Sequence, residues 1–168
     1  LDDEIDISRG DVLAISPTHA EIDRFTSAIR QEWAAAGKLG EGREFDVWKP
    51  IHLTEGERRD SQSFEPGMML QFHTAAPGFK AGVRVPVAET EKVPVELAER
   101  FSVYRPDQLN VAVGDRIRLT ANGKSLDGHR LNNGAVYTVA GFTPQGDIRL
   151  DNKWIVAKDW GHFTHGWV

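Results

Sequence analysis

Residues 112–120, "AVGDRIRLT", and residues 65–73, "EPGMMLQFH", follow one pattern. In each stretch a glycine, Gly114 or Gly67, is followed by apolar residues that alternate with polar ones. An alternation with a period of two is typical of a half-buried strand. Gly134 and Gly82 open a second alternating stretch in each case, in "NNGAVYTVAG" and "KAGVRVPVAE". The chain is therefore predicted to contain an internal repeat of short antiparallel strands.

The segment before the repeat predicts a single strand followed by a helix. Val12–Ile15 is a short apolar run that suits a buried strand, and Ile22, Phe25, Ile29 and Trp33 form one apolar helical stripe that ends before Gly37. The predicted fold class is α+β and mainly β: a short strand–helix unit followed by two tandem SH3-like β-barrels. The corresponding segments are residues 1–62, 63–110 and 111–168.

The turn between the predicted strand and helix reads Ser16-Pro17-Thr18-His19. Thr18 followed by Glu21 is a capping box, in which the hydroxyl accepts from the amide of Glu21 and the carboxylate reaches back to Thr18. Capping alone explains this turn. The alternative is that the free amides at Thr18 and His19 hold a phosphate of a nucleic acid.

The net charge of −5 is unevenly distributed along the 168 residues. Residues 1–65 have 8 basic and 15 acidic side chains, residues 66–110 have 5 of each, and residues 111–168 have 7 basic against 5 acidic. A strongly basic nucleic-acid footprint is absent, so we expect any DNA contact in the C-terminal segment. The acidic start and the abrupt end at "FTHGWV" predict a piece of a longer protein.

Few residues indicate catalysis or metal binding. The sequence has no cysteine, and His162 and His165 form an HxxH pair without an evident third ligand, so we expect neither a metal site nor catalytic residues. His52, His73 and His129 are interpreted as ordinary surface or barrel residues. The absence of cysteine favours a cytoplasmic protein, and no apolar stretch is long enough for a membrane span.

The second predicted barrel combines basic side chains with a tryptophan. Charge for phosphates and a ring for bases are the features that single-stranded DNA binding uses. The predicted nucleic-acid-binding residues here are Arg116, Arg118, Lys124, Arg130, Trp154 and Lys158. The alternative is a solvated strand face with a core tryptophan.

Several stretches together resemble one family. They are "LAISPTHAEIDRFTSAIRQEW", "LQFH…GFKAG", "AVGDRIRLTANGKSLDGHRLNNGAVYTVAGF" and "GDIRLDNKWIVAKDWGHFTHGWV", which together cover nearly the whole chain. They resemble the C-terminal helicase half of MobF-type conjugative relaxases, which is similar to RecD-like superfamily 1 helicases. The NGxxYTVxGF and GHFTHGWV stretches are its most specific parts.

The resemblance implies a role in plasmid transfer. The chain would contain part of the second RecA-like lobe and the SH3-like insertion that interrupts it, and it would contact single-stranded DNA while the parent protein unwinds it. The phosphate loop, the magnesium-binding acidic motif, the SQG motif, the relaxase histidines and the nicking tyrosine are missing from this sequence. ATP and Mg²⁺ are therefore expected only in the parent protein, and no cofactor is expected here.

The resemblance also implies partners and a second function class. The rest of the parent helicase and single-stranded DNA are the expected partners, in the bacterial cytoplasm or in the recipient cell after transfer, with no membrane contact. The rival function is a protein-binding module that the type IV secretion apparatus recognises through its coupling protein. The acidic balance of the chain favours this rival.

Overall fold

The fold is known from a computed structural model that describes residues 18–88 and 93–167. The protein is mainly β, with 36% of residues in strands and 21% in helices, which confirms the predicted α+β class. The predicted strand Val12–Ile15 lies outside the described residues. The helices and strands are α1 His19–Ala35, β1 Gly42–Pro50, α2 Glu55–Arg58, β2 Met69–Phe72, β3 Arg84–Pro86, β4 Phe101–Ala112, β5 Arg116–Leu119, β6 Gly123–Lys124, β7 Arg130–Leu131, β8 Val136–Phe142, β9 Ile148–Leu150, β10 Ile155–Val156 and β11 Phe163–His165.

The chain divides into two compact units. Of the described residues, 18–45 and 110–167 form one unit, here called the terminal unit, and 46–88 and 93–109 form the central unit. The chain passes from one unit to the other within β1 and again within β4. The predicted division at residues 62 and 110 and the predicted number of barrels stay predictions.

Helix α1 forms where the sequence predicts it, and Ile22, Ile29 and Trp33 of the predicted stripe are half-buried. Its last turn ends in a Schellman motif, in which Gly37 N–H donates to Ala34 O and Lys38 N–H to Trp33 O, each over 3.0 Å. The predicted apolar stripe is wrong at Phe25, which is 40% exposed, whereas Thr26 is buried. Helix periodicity alone does not give the rotation of a helix about its axis. The polar contacts of Arg30, described below, fix that rotation.

The central unit is built on antiparallel pairing around β2. The four-stranded sheet has the order β1-β4-β2-β3, and a 3₁₀-helix, Val95–Arg100, leads into β4. Its core is aromatic: Phe72 and Phe101 are almost fully buried, with their ring centroids 5.4 Å apart in an edge-to-face arrangement.

The terminal unit contains a five-stranded antiparallel sheet in the order β10-β9-β8-β5-β11. The last strand, β11, returns beside the first, β5. A two-stranded hairpin, β6–β7, is inserted between β5 and β8. The fully buried residues are contributed by alternate positions of these strands, among them Ile117, Leu119, Val139, Ile148, Leu150 and Phe163.

The predicted repeat is confirmed at the level of strands and register. The first copy (residues 67–104) contains β3-β2-β4, and the second (residues 114–166) contains β8-β5-β11. Each of the four predicted glycines lies two residues before a strand. Leu70 pairs with Val85 in the first copy, and Ile117 pairs with Tyr137 in the second. Each of these residues lies three positions after its glycine.

The hydrogen bonds beside these pairs repeat as well. Gly82 N–H donates to Phe72 O over 2.6 Å, and Gly134 N–H donates to Leu119 O over 2.8 Å. On the other side of the central strand, Phe72 pairs with Phe101 and Leu119 pairs with Phe163. The two three-stranded sheets therefore have the same topology and the same register.

Candidate nucleic-acid interface

The inserted hairpin brings two predicted basic residues into direct opposition. Lys124 on β6 and Arg130 on β7 are cross-strand partners, and both are exposed. Their strand neighbours Gly123 and Leu131 face the other way, and Leu131 is fully buried. Like charges directly opposite each other on a sheet are destabilising, so this arrangement favours an anionic partner that would offset the repulsion.

Three rings lie together next to this hairpin. The imidazole of His129 stacks on the indole of Trp154, with centroids 4.5 Å apart and planes only 7° from parallel. Tyr137 tilts against the same indole at 6.1 Å and 48°. Trp154 and Tyr137 are half-buried, whereas the His129 side chain is 47% exposed. These three residues are called the ring cluster below, and Trp154 is neither a core residue nor a freely exposed one.

The hairpin tip, residues 125–129, is held against β10 by several hydrogen bonds. Leu126 N–H donates to Ile155 O over 2.8 Å, and Ile155 N–H donates to Asp127 Oδ1 over 3.3 Å. Within the tip, His129 N–H donates to Ser125 Oγ over 2.9 Å. A hydrogen bond from the Ser125 side chain is the main cause that lowers the pKa of Asp127. The tip is therefore ordered before any ligand binds.

Arg116 and Arg118 lie on the opposite side of the sheet from the ring cluster. Both are on β5, where they alternate with the buried Ile117 and Leu119. Because Tyr137 is the direct partner of Ile117, its ring lies on the inward side, and the two arginines are on the outward side. The structure thus separates the predicted site into two surfaces.

The outward surface is tied to the N-terminal helix. The guanidinium carbon of Arg116 lies 5.6 Å from the centroid of the Trp167 ring, a cation–π distance, and Trp167 also contacts Trp33 of α1 at 4.9 Å. Nearby, Asp115 is fully buried and accepts from Arg30 Nε over 2.9 Å. Arg116 is therefore partly committed to packing.

Lys158 belongs to neither surface. Its ammonium donates to Gln145 O over 2.9 Å, and its backbone N–H donates to Asp147 Oδ1 over 2.9 Å. These bonds hold Lys158 against the turn between β8 and β9. Its predicted role in binding DNA stays a prediction.

Thr18 forms the N-cap of α1, as predicted. Its hydroxyl accepts from Glu21 N–H over 3.2 Å and donates to Glu21 Oε2 over 2.7 Å. His19 is the first residue of the helix and is exposed. The Glu21 carboxylate at this end supports the capping interpretation, and a phosphate at Thr18 and His19 stays a prediction.

The C-terminal histidines lie in different environments. His162 is 1% exposed and contacts the Trp160 ring at 5.4 Å. His165 Nε2 lies 2.7 Å from Asn110 O, and burial lowers the pKa of His165. Among residues 18–88 and 93–167, no group of three His, Asp or Glu side chains is placed to hold a metal ion. In the same residues no helix is long and apolar enough to cross a membrane.

The sequence interpretation missed Tyr137 of the ring cluster and also the exposed His129. The signal that could have found His129 is the stretch "KSLDGHR", residues 124–130, in which an Asp-Gly pair marks a hairpin turn between Lys124 and Arg130. That turn pairs Lys124 with Arg130 and returns His129 toward Trp154. No spacing rule would have predicted the stack itself, because Trp154 is 25 residues away.

Comparisons with known proteins add no relative: no protein-family model matches the chain, and the search of curated proteins found no match. The family resemblance therefore depends on the sequence stretches quoted above.

Proposed function

We propose that this chain contacts single-stranded DNA through the β6–β7 hairpin, as an accessory region of a MobF-type conjugative relaxase and helicase. The observation that carries the proposal is the exposed Lys124–Arg130 pair on a hairpin whose tip presents stacked rings. Cationic side chains for phosphates together with aromatic rings for bases are the usual elements of a single-strand site.

The charge of the site fits a weak, local contact. Two exposed cations can neutralise only a few phosphates, and Asp127 lies 3.4 Å from His129 at the tip, where a phosphate would be repelled. Phosphates are therefore expected at Lys124 and Arg130, and bases at the ring cluster. In this proposal ATP hydrolysis, with its Mg²⁺, belongs to the parent protein in the cytoplasm.

A second candidate is supported by a separate feature of the hairpin tip. Leu126 is 59% exposed beside Asp127, and an apolar side chain next to a carboxylate suits a peptide better than a phosphate chain. The corresponding function is the protein-binding module, with the type IV secretion coupling protein as the partner. The experiment below separates the two candidates.

The test is a titration of a labelled single-stranded oligonucleotide at low and moderate salt. The double variant Lys124→Glu/Arg130→Glu is expected to lower the affinity at least about tenfold and to reduce the salt slope by about 1.4, since each lost phosphate contact removes about 0.7. The comparison variant is Arg116→Glu/Arg118→Glu, on the outward side of β5. Lys80→Glu in the central unit serves as a control for charge alone, because Lys80 is an exposed cation on a loop of the first copy.

Each outcome of the titration has a defined meaning. A loss confined to the Arg116/Arg118 variant would move the contact to the outward surface. Absence of any binding by the unaltered chain, or equal effects of all three variants, would contradict DNA binding through this hairpin. If a Leu126→Asp variant of the chain then failed to bind the purified coupling protein that the unaltered chain binds, the protein-binding candidate would replace it.

A further inference from the structure

The rings of the ring cluster differ in their exposure to solvent. One face of the Trp154 indole is covered by His129, whose ring lies parallel at 4.5 Å, and Tyr137 tilts against the same indole. Trp154 and Tyr137 are half-buried, whereas 47% of the His129 side chain is exposed. The ring that an incoming planar group meets first is therefore the imidazole, with the indole behind it.

The imidazole is fixed in position. The backbone N–H of His129 donates to the Ser125 hydroxyl over 2.9 Å, and the backbone C=O of His129 accepts from the Ser125 N–H over 2.8 Å. His129 Nε2 lies 3.4 Å from Asp127 Oδ2, and Asp127 Oδ1 accepts from Ile155 N–H. The residue is thus held at its backbone, and the inner face of its ring lies against the indole. A preorganised ring loses little conformational entropy when a ligand stacks on it.

From this arrangement we infer that His129 is the platform on which a nucleobase stacks, with Trp154 as its support. The inference rests on the proposed single-strand function and identifies the part of the ligand that the site recognises. The Asp127 carboxylate beside the imidazole disfavours a phosphate there, while every nucleobase offers a neutral aromatic face. The cations for the neighbouring phosphates are Arg130, one residue after His129, and Lys124, five residues before it.

The site would tolerate any base sequence. Stacking uses the π-face that all bases share, and His129 Nε2 lies 3.4 Å from the Asp127 carboxylate. We therefore expect a preference for nucleotides that carry a base over abasic ones, with little discrimination among bases. This preference separates stacking from attraction to phosphate.

The experiment compares two labelled oligonucleotides of equal length, oligo-dT and an abasic strand with the same phosphates. The unaltered chain is expected to bind oligo-dT roughly ten- to hundredfold more tightly than the abasic strand, the range that one stacked base contributes. His129→Ala should remove this preference and leave binding of the abasic strand unchanged. His129→Phe, which keeps a flat ring, should retain it, and Lys124→Glu/Arg130→Glu should weaken both strands alike.

The outcomes distinguish failure of this inference from failure of the proposed function. If the unaltered chain binds both strands equally well, or if His129→Ala keeps the preference, the platform is wrong while DNA binding stands. If His129→Phe loses the preference together with His129→Ala, a specific imidazole hydrogen bond replaces stacking. If neither strand binds, the proposed function fails, and the platform fails with it. Thermal melts of the variants check that each is folded, which the exposure of His129 favours.

Discussion

The first and second copies of the repeated sheet share a backbone and differ in what is attached to it. In both, a central strand pairs with a following strand and a later strand in the same register. In the first copy the loop after the central strand is residues 73–83, which contains no named strand, and its Phe79 stacks on Phe72 at 4.4 Å. In the second copy that loop is the β6–β7 hairpin with its exposed cations. The candidate site thus lies in the inserted loop of one copy, outside the shared sheet.

The copies also differ inside the shared frame. The residue after the first glycine is Met68 in the first copy and Asp115 in the second, and both are buried. Likewise Val103 of the first copy corresponds to His165 of the second, since they pair with Leu70 and Ile117. The first copy is apolar at positions where the second has ionisable groups. In the second copy these groups attach helix α1 and Asn110 to the sheet.

The largest expected loss of stability comes from replacing Asp115 of the second copy with methionine, the residue at the corresponding position of the first copy. Asp115→Met should destabilise the terminal unit by about 3 kcal/mol, because it leaves the Arg30 guanidinium without its carboxylate. The same change removes the acceptor of Ala112 N–H, which lies 2.7 Å from Asp115 Oδ2, and of Trp167 Nε1–H. Urea denaturation of the intact chain, followed by tryptophan fluorescence, measures the loss.

A double variant provides the control for this prediction. Arg30→Met/Asp115→Met removes both charges, and replacing a buried pair with apolar side chains is less costly than breaking it. The double variant should therefore be more stable than Asp115→Met alone. If Asp115→Met lowered the free energy of unfolding by less than about 1 kcal/mol, the ion pair would contribute no more than an ordinary surface pair. That result would contradict its role in attaching α1.

A smaller difference is expected between the two glycines that open the central strands. Gly67 and Gly114 have φ of +96° and +94°, so alanine is strained at both positions. A Cβ on Gly67 would meet nothing within 4 Å, whereas one on Gly114 would lie 2.8 Å from Lys38 O. Gly67→Ala should cost about 1 kcal/mol and Gly114→Ala about 2–3 kcal/mol. Equal shifts in the urea midpoints of the two variants would show that the backbone at Lys38 moves away from the added Cβ at little energetic cost.

The sequence predicted the repeat because glycines and alternating apolar residues are local signals. Gly67, Gly82, Gly114 and Gly134 each precede a strand, and the residues three positions later pair as the alternation requires. The stripe on α1 was predicted except at Phe25, because the exposure of Phe25 and the burial of Thr26 depend on where Arg30 meets Asp115, 85 residues further along. The same limit applies to the site. Lys124 and Arg130 are close in sequence, and the alternation along β5 puts Arg116 on the side opposite Ile117. That the ring cluster lies on the other side of the sheet depends on the pairing of Ile117 with Tyr137, which is not a local signal.

The smallest expected effect is a pH dependence of stability at His165, the position of the second copy that corresponds to Val103 of the first. Burial lowers the pKa of His165, and the Arg30 guanidinium also lowers it, while the Asn110 carbonyl and the Asp115 carboxylate raise it. As the pH falls below about 6.5, the usual histidine pKa, the unfolded chain binds a proton that the folded chain does not. Stability should therefore decrease as the pH falls through this range and level off below the pKa of the folded state.

His165→Val, which installs the residue of the first copy, should remove this contribution. The variant loses the contact with Asn110 O, seen at 2.7 Å, so it should be less stable than the unaltered chain at pH 7.5. That difference should shrink toward pH 5, because only the unaltered chain loses stability through His165 as protons bind. Urea midpoints of both proteins at several pH values measure the trend. A difference that stays constant with pH would mean that His165 titrates alike in the folded and unfolded chain, and a difference that grows would mean that the folded state holds the protonated form.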